Sequence, residues 1–399
     1  MNVPDIDSLE LIPHFQPIIR LDDRAICGYE SLGRMIDPQS REIKSLGPIF
    51  HGLDADNPDH RRVLFQLDTS LQNLALERLV ENPAADLFMN IMPHTLGEAA
   101  GGAGFRILRK IDQLKIDPSR IVLEITEDEF MGDIDQMVSI VQNLKSEGLK
   151  IAVDDAGAGQ SDLNRIALIR PDIIKVDLQL LRASLEDIGF RQLLQTVSAL
   201  SHRLGSSLLF EGIEREEELF MALRMGSRYL QGFLFSEARA SFQEKGQFAG
   251  LLDRVIREHS AFAVAELIQG FQIRDELLGS MRAAASNLDA KNLNESLAAL
   301  LSQFPHQISR LAIYDLDGNQ LTSEFRIEAG GWVRDDSAIS HNISWRPYFL
   351  GAIALSRYQS QDWFITEPHY TIQTEFPRII VVLVHAEAFV IVGEADWLG

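Results

Sequence analysis

LKIAVDDAGAGQSDLNRIALIRPDIIKVD, residues 149–177, is the stretch on which the fold turns. An apolar run ends on Asp154 and Asp155, and a second ends on Lys175. Runs of this kind read as buried strands, and a polar group at the end of a buried strand must reach open space where the strand stops. The same pattern recurs on both sides: LFMN ends on Asn90, IVLE on Glu124, LLFE on Glu211 and YLQ on Gln231. These ends lie 20 to 36 residues apart, the size of one strand-plus-helix unit. Helical spacing fills 61–80, 105–114, 134–148, 190–205 and 214–226, with Gly148 and Gly205 placed to cap their helices. The regularity predicts a (β/α) barrel rather than an open sheet, and parallel strands would gather every polar end at one mouth. HFQPIIRL (14–21) alternates like a strand, and the turn at Asp22–Asp23 predicts that this first strand runs against the others.

The whole chain sets limits on what that mouth does. It has 399 residues, 46% hydrophobic, with a mean hydropathy of -0.03, which suits a globular protein of two or three domains. Its formal charge of -21 repels a nucleic-acid polymer, although a bound divalent cation inverts that field locally for a small anion. Cys27 is the single cysteine, so no internal disulfide forms. MNVPDIDSLE is not a signal peptide, and the longest apolar stretch, RIIVVLVHAEAFVIV, is broken by His385 and Glu387. A cytoplasmic protein without membrane insertion is expected.

The barrel-like pattern ends near residue 245. The predicted organisation is a barrel domain over 1–245, a connector helix over 246–290 that Gly270 interrupts, and a small α+β domain over 291–399. Leu251, Val255, Phe262, Leu267 and Phe271 recur at helical spacing in the connector, which suits a linker, a dimer helix or both. A hairpin is expected around Asp317–Gly318, with further antiparallel strands to the end.

Glu30, Glu124, Asp154 and Asp155 are acceptor-only when ionised, and Asn90 adds a neutral oxygen. Hard cations such as Mg2+ or Mn2+ take all-oxygen shells of this kind, and so many carboxylates crowd unfavourably without one. One or two ions fit the set, with Asp154 bridging a pair, and such a pair activates water against a phosphodiester. Lys175 would neutralise the phosphate or position the water, and Glu211 would hold the metal or the water.

GYESLGR resembles the signature segment of EAL-domain cyclic di-GMP phosphodiesterases, here Glu30-Ser31-Leu32. FQPI, FMNIMP, LEITE, VDDAGAG, DIIKVD, FEGIE and LQGFLFS resemble the family's other motifs in order, over residues 10–240. The resemblance implies a modified TIM barrel with an antiparallel first strand and hydrolysis of cyclic di-GMP to linear pGpG. It implies metal ligation by Glu30, Asn90, Glu124 and Asp154, with Asp155 serving a second ion. Lys175 would lie beside the attacking water, and Glu211 would complete the metal shell or water network. Gln16, Leu32, Arg34 and Gln231 would hold the dinucleotide, while Glu127 and Glu214 would brace the loop after Asp155. A homodimer is expected from the same likeness. The chain departs from the family at Ala156, Ala158 and Gln160, where an aromatic, a threonine and a tyrosine are usual. That loop is where binding without turnover would arise, so a receptor for the dinucleotide is the alternative reading.

Ser344-Trp345-Arg346-Pro347-Tyr348-Phe349 resembles the RPYF element of PAS/CACHE-like sensor domains, and the domain order resembles the YkuI type of EAL protein. Arg346 and Tyr348 would then grip an unknown small carboxylate ligand. Equally, Trp345 and Phe349 would be core, with Arg346 capping a helix. Asp315, Asp317 and Asn319 mimic a calcium-loop spacing but lack its twelfth-position glutamate, so a turn is expected there.

Overall fold

The computed structural model describes residues 9–37, 40–53, 57–91, 103–126, 134–156, 163–328, 331–369, 377–386 and 388–397. The chain folds as two compact units, Met1–Ser260 and Ala261–Gly399.

In the first unit, β1 (Glu10–Arg20) and β2 (Ala25–Ile36) form an antiparallel hairpin, and β3 (Ile43–Ser45) pairs antiparallel with the end of β2. β4 (Asp86–Asn90) lies parallel to β2. β5 (Ile121–Thr126), β6 (Lys150–Ala156), β7 (Ile173–Val176), β8 (Ser207–Phe210) and β9 (Tyr229–Leu230) then add in sequence, each parallel to the last. β9 meets β1 antiparallel through Leu230 and Tyr229, which closes an eight-stranded barrel with β3 as an extra strand. Only β1 runs against its barrel neighbours, as the Asp22–Asp23 turn predicts.

Helices α1 (Gly47–Gly52) and α2 (Pro58–Leu79) precede β4. α3 (Ala103–Leu114), α4 (Ile134–Ser146) and α5 (Leu163–Ile169) follow β4, β5 and β6. α6 (Leu178–Glu186) and α7 (Ile188–Leu204) lie between β7 and β8, and α8 (Glu216–Arg224) lies between β8 and β9. Their ends follow local chemistry. Asn57 and Asp187 accept the orphan N–H groups that open α2 and α7, and Gly205 stops α7 at φ 72°. α2 turns Leu64, Leu67, Leu71 and Ala75 inward, and each leucine contributes about 1.5–3 kcal/mol by leaving water.

The strand period of two sorts the barrel into layers. Leu87, Met89, Leu123, Ile151, Ile174 and Phe210 point outward into the core shared with the helices. Ile18, Phe88, Val122, Ala152, Ile173 and Leu209 fill a separate interior cluster. Two residues beyond Phe88, Val122, Ala152, Ile173, Leu209 and Tyr229 stand Asn90, Glu124, Asp154, Lys175, Glu211 and Gln231. The polar layer is therefore the next storey of the same interior, at the carboxyl ends of the parallel strands.

α9 (Ala249–Asn287) begins in the first unit, where Leu252 and Val255 join the barrel's core, and its later turns belong to the second. Gly270 does not interrupt it. The helix runs through, and a Cβ at that position would lie 2.8 Å from the Trp397 ring, so the missing side chain makes room for the indole.

The second unit adds α10 (Leu293–Leu300), α11 (Pro347–Gln359) and a six-stranded sheet. Its strands are β10 (Ile308–Tyr314), β11 (Glu324–Glu328), β12 (Gly331–Asp335), β13 (Trp363–Ile365), β14 (Arg378–His385) and β15 (Phe389–Asp396). The order is β12-β11-β10-β15-β14-β13, antiparallel throughout. One face packs Leu311, Ile313, Val381 and Ile391 against Leu277 and Met281 of α9. The other packs Ala312, Tyr314, Val382 and Val390 against Phe349 and Ala352 of α11. The Asp315–Asn319 segment is a turn: the Asp315 carboxylate accepts from the backbone N–H groups of Asp317 and Asn319 and from the Asn319 amide.

Candidate active site

The barrel mouth centres on Lys175, whose side chain is 1% exposed. Its ammonium lies 2.9 Å from Asp154 Oδ1, 2.9 Å from Glu211 Oε2 and 3.2 Å from Glu124 Oε2. Beside this cluster Gln231 Nε2 donates to Glu30 Oε2 at 2.6 Å and lies 3.2 Å from Gln16 Oε1. Asn90 Nδ2 donates to Glu30 Oε1 at 3.3 Å. Gln16 in turn donates to the Ser236 carbonyl. The expected residues, from strands far apart in sequence, thus gather as two adjoining sets, an ion-paired one around Lys175 and a hydrogen-bonded one around Glu30.

Charge in the group is unbalanced. Glu30, Glu124, Asp154 and Glu211 face a single ammonium, and Glu124 is fully buried. Neither oxygen of Glu124 receives a hydrogen bond among the described residues, although Lys175 lies within ion-pair range. Burial pushes Glu124 well above the usual carboxylate range, against the pull of Lys175 and with help from the acids around it. Burial likewise raises Glu211, to about 8. Burial works to lower Lys175, but Glu124, Glu30, Asp154 and Glu211 outweigh it and hold the ammonium charged. A set of carboxylates strained in this way, with an acceptor-only group left without donors, fits a hard divalent cation. Among the described residues no three acids or histidines form a ready-made metal cage, because Lys175 stands between them.

Beside the mouth is a cavity of about 330 Å³ lined by Leu32, Arg34, Phe50, Asp68, Gln72 and Asn90, among others. Arg34 donates to the Gly33 carbonyl and makes no ion pair among the described residues. Two of the lining residues escaped the sequence reading. Gln72 donates to Asp68 Oδ2 at 2.9 Å and to the Asn90 carbonyl at 3.0 Å, which pins the end of β4 from helix α2. The available signal was their position: Asp68 and Gln72 are polar residues four apart, on a helix stripe otherwise made of valine, leucine and alanine.

Asp155 has its backbone in β6, but its side chain, Glu127 and the loop 157–160 fall outside the described residues. Glu214 accepts a 2.6 Å ion pair from Arg182, which also binds the buried Glu218. Gly232 follows Gln231 where a Cβ would come within 2.1 Å of the Ile213 carbonyl, so only glycine lets β9 pass that backbone.

In the second unit, Phe349 is core, but Trp345 is 65% exposed and carries the Arg346 guanidinium 4.1 Å above its ring. Arg346 is the N-cap residue of α11 but makes no side-chain cap. Arg346 and Tyr348 both line a cavity of about 300 Å³.

A family model for the EAL domain matches residues 4–238, and one for an EAL-domain associated signalling protein domain matches residues 253–376. The EAL-domain containing protein YkuI of Bacillus subtilis is 31% identical over 359 residues, 89% of this chain and 87% of that protein. The cyclic di-GMP phosphodiesterase NbdA of Pseudomonas aeruginosa is 28% identical over 240 residues, 58% of this chain but 29% of NbdA. The crystal structure of Bacillus subtilis YkuI in complex with substrate c-di-GMP and calcium superimposes with a TM-score of 0.88 at 28% identity, covering 99% of this chain and 98% of that one.

Proposed function

This chain belongs to the EAL-domain family, and we propose that its barrel hydrolyses cyclic di-GMP to linear pGpG with divalent metal, under control of the second unit. The observation that carries the reading is the buried excess of carboxylate around Lys175. Four acids against one ammonium is a poor arrangement for a protein alone and a good one for a protein that recruits a cation. Glu30, Asn90, Glu124 and Asp154 would hold the ion, Mg2+ or Mn2+ in the cell, with Asp155 beside Asp154 for a second. When bound, the ion lowers the pKa of water and offsets phosphate charge.

The chain's own residues supply the remaining work. Lys175, held charged by its neighbours, orients the nucleophilic water and meets the phosphate's negative charge. Glu211, raised by burial, is suited to take or hold a proton near neutral pH. Gln16 and Gln231 fix Glu30 through an unbroken amide chain and face the nucleotide. Leu32 and Arg34 line the neighbouring cavity, where Arg34 makes no ion pair among the described residues. Glu127 and Glu214 would brace the loop after Asp155. Water adds to one phosphorus, one bond from phosphorus to the 3′ oxygen breaks, and the ring opens.

The exposed Leu267, Ile268 and Phe271 of α9 support a homodimer, and the absence of a membrane-length apolar helix among the described residues accords with work in the cytoplasm.

The test is product formation. Full-length protein with Mn2+ and cyclic di-GMP should release pGpG, read by anion-exchange chromatography. Chelation should stop it, and Glu30→Ala or Lys175→Ala should slow it by about a hundredfold or more. Saturable binding with no product would instead make the protein a receptor, the outcome that Ala156 and Ala158 favour. Absence of both binding and product would overturn the reading.

A further inference from the structure

The segment between β9 and α9 grips the β1–β2 hairpin on both of its faces. On the lumen face, Gln16 of β1 stands opposite Glu30 of β2. Their chain neighbours Phe15 and Tyr29 point the other way, into the core shared with the helices, and are almost wholly buried. The Phe242 ring sits 4.6 Å from that of Phe15 and 5.0 Å from that of Tyr29. The Tyr29 hydroxyl accepts from the Gln243 N–H at 2.9 Å and donates to the Gln243 carbonyl at 3.1 Å. Arg239 pairs with Phe15 through two backbone hydrogen bonds.

The same segment reaches the lumen through the buried Ser236. Gln247 Nε2 donates to Gln243 Oε1 at 2.9 Å, and Gln243 Nε2 donates to Ser236 Oγ at 3.1 Å. The carbonyl of that serine accepts from Gln16 Nε2 at 3.2 Å. A carbonyl can only accept, so it fixes which end of the Gln16 amide faces it. Gln16 Oε1 is thereby turned to Gln231, whose Nε2 donates to it and to Glu30 Oε2. Reversing either amide would set oxygen against oxygen. One chain of hydrogen bonds, passing through Ser236, thus runs from Gln247, just before α9, to the carboxylate of Glu30.

We propose that Gln243 is a positioning residue for Glu30, and that the root of α9 sets how firmly the mouth holds its divalent ion. The inference rests on the reading of Glu30 as a metal ligand. A carboxylate held by directed donors is already aimed for the ion, whereas one free to turn loses affinity without losing charge. The later turns of α9 belong to the second unit, so this root gives that unit a route to the mouth separate from the loop after Asp155.

Mn2+ binding to the full-length protein without nucleotide, read from the electron paramagnetic resonance of the free ion, tests it. Gln243→Leu keeps the side chain's bulk but removes its amide, and should weaken Mn2+ by about threefold or more while melting close to the parent. Ser236→Ala takes away the hydroxyl that Gln243 holds and should act in the same direction, which keeps the test open if Gln243→Leu folds poorly. Gln16→Leu should weaken the ion as well, and Gln243→Leu added to it should cost little more, because the chain is already cut. Unchanged Mn2+ affinity in either folded variant would overturn the proposal. So would a Gln243→Leu effect that persists in full in Gln16→Leu protein. A parent that binds no Mn2+ would overturn the metal reading of the mouth and this inference with it, so the parent's own titration tells the two failures apart.

Discussion

The two units treat charge in opposite ways. At the barrel mouth one buried ammonium holds acids arriving from three different strands, and there is more acid than the protein can neutralise. In the second unit the ionic contacts are arginine pairs at the surface or the rim of a recess, among them Arg282 with Asp362, Arg326 with Asp335 and Arg378 with Glu394. Buried charge is costly and persists only where the surroundings compensate it, whereas a surface pair costs little and contributes little. The comparison separates residues kept for chemistry from residues kept for solubility and local order. It also explains why the barrel's charges converge while those of the sheet are spread over its strands.

The comparison breaks most sharply at Lys175. Lys175→Met in metal-free protein leaves Glu124, Asp154 and Glu211 without their ammonium, and should cost about 3–5 kcal/mol of stability. Urea unfolding in chelator reads that loss; an unchanged midpoint would mean that the acids simply take up protons.

Glu218 lies between the extremes. It is fully buried at the start of α8, where burial pushes its pKa up. Arg182, the Glu214 N–H and Arg215 overcome that push and bring it down to about 2. A carboxylate depressed in the fold stabilises above its unfolded pKa of about 4.5, and the contribution fades as pH falls toward 2. Glu218→Gln should therefore cost about 2–3 kcal/mol at pH 7 and much less near pH 2, so parent and variant unfolding midpoints should converge on acidification.

The smallest effect belongs to the surface. Arg282 grips Asp362 with two nitrogens, yet both side chains are about half exposed. Arg282→Ala should change stability by no more than about 1 kcal/mol, and added salt should erase the difference. A larger loss would show that surface pairs in this unit carry more weight than the contrast allows.

Much of this is legible in the sequence because a buried strand exposes its logic at its end. Asn90, Glu124, Asp154, Lys175, Glu211 and Gln231 each follow an apolar run, and the period of two puts each directly above an interior hydrophobe. The reversed first strand is legible too, since the turn at Asp22–Asp23 is too short for a crossover. What stays hidden depends on partners distant in sequence. Asp68 and Gln72 look like tolerated polar positions until β4 is seen beside them. Glu218 looks like an ordinary acid in a helix's first turn, and its burial makes sense once Arg182, from another helix, joins its local donors Glu214 N–H and Arg215. Gly270 suggests a break because glycine weakens helices, but a tryptophan more than a hundred residues away decides its use. Trp345 suggests core, yet it serves as a platform for Arg346.

The storeyed interior of the barrel restricts how this mouth can change over evolutionary time. Inserting or deleting one residue within β4, β5, β6 or β7 would swing Asn90, Glu124, Asp154 or Lys175 from the lumen to the helix-facing side, and send a hydrophobe into the cluster. Length variation is thus confined to the connections, and the lumen can be retuned only by exchanging one side chain for another in place. Descendants of this scaffold that lose turnover should carry point replacements at these heights and keep their strand lengths.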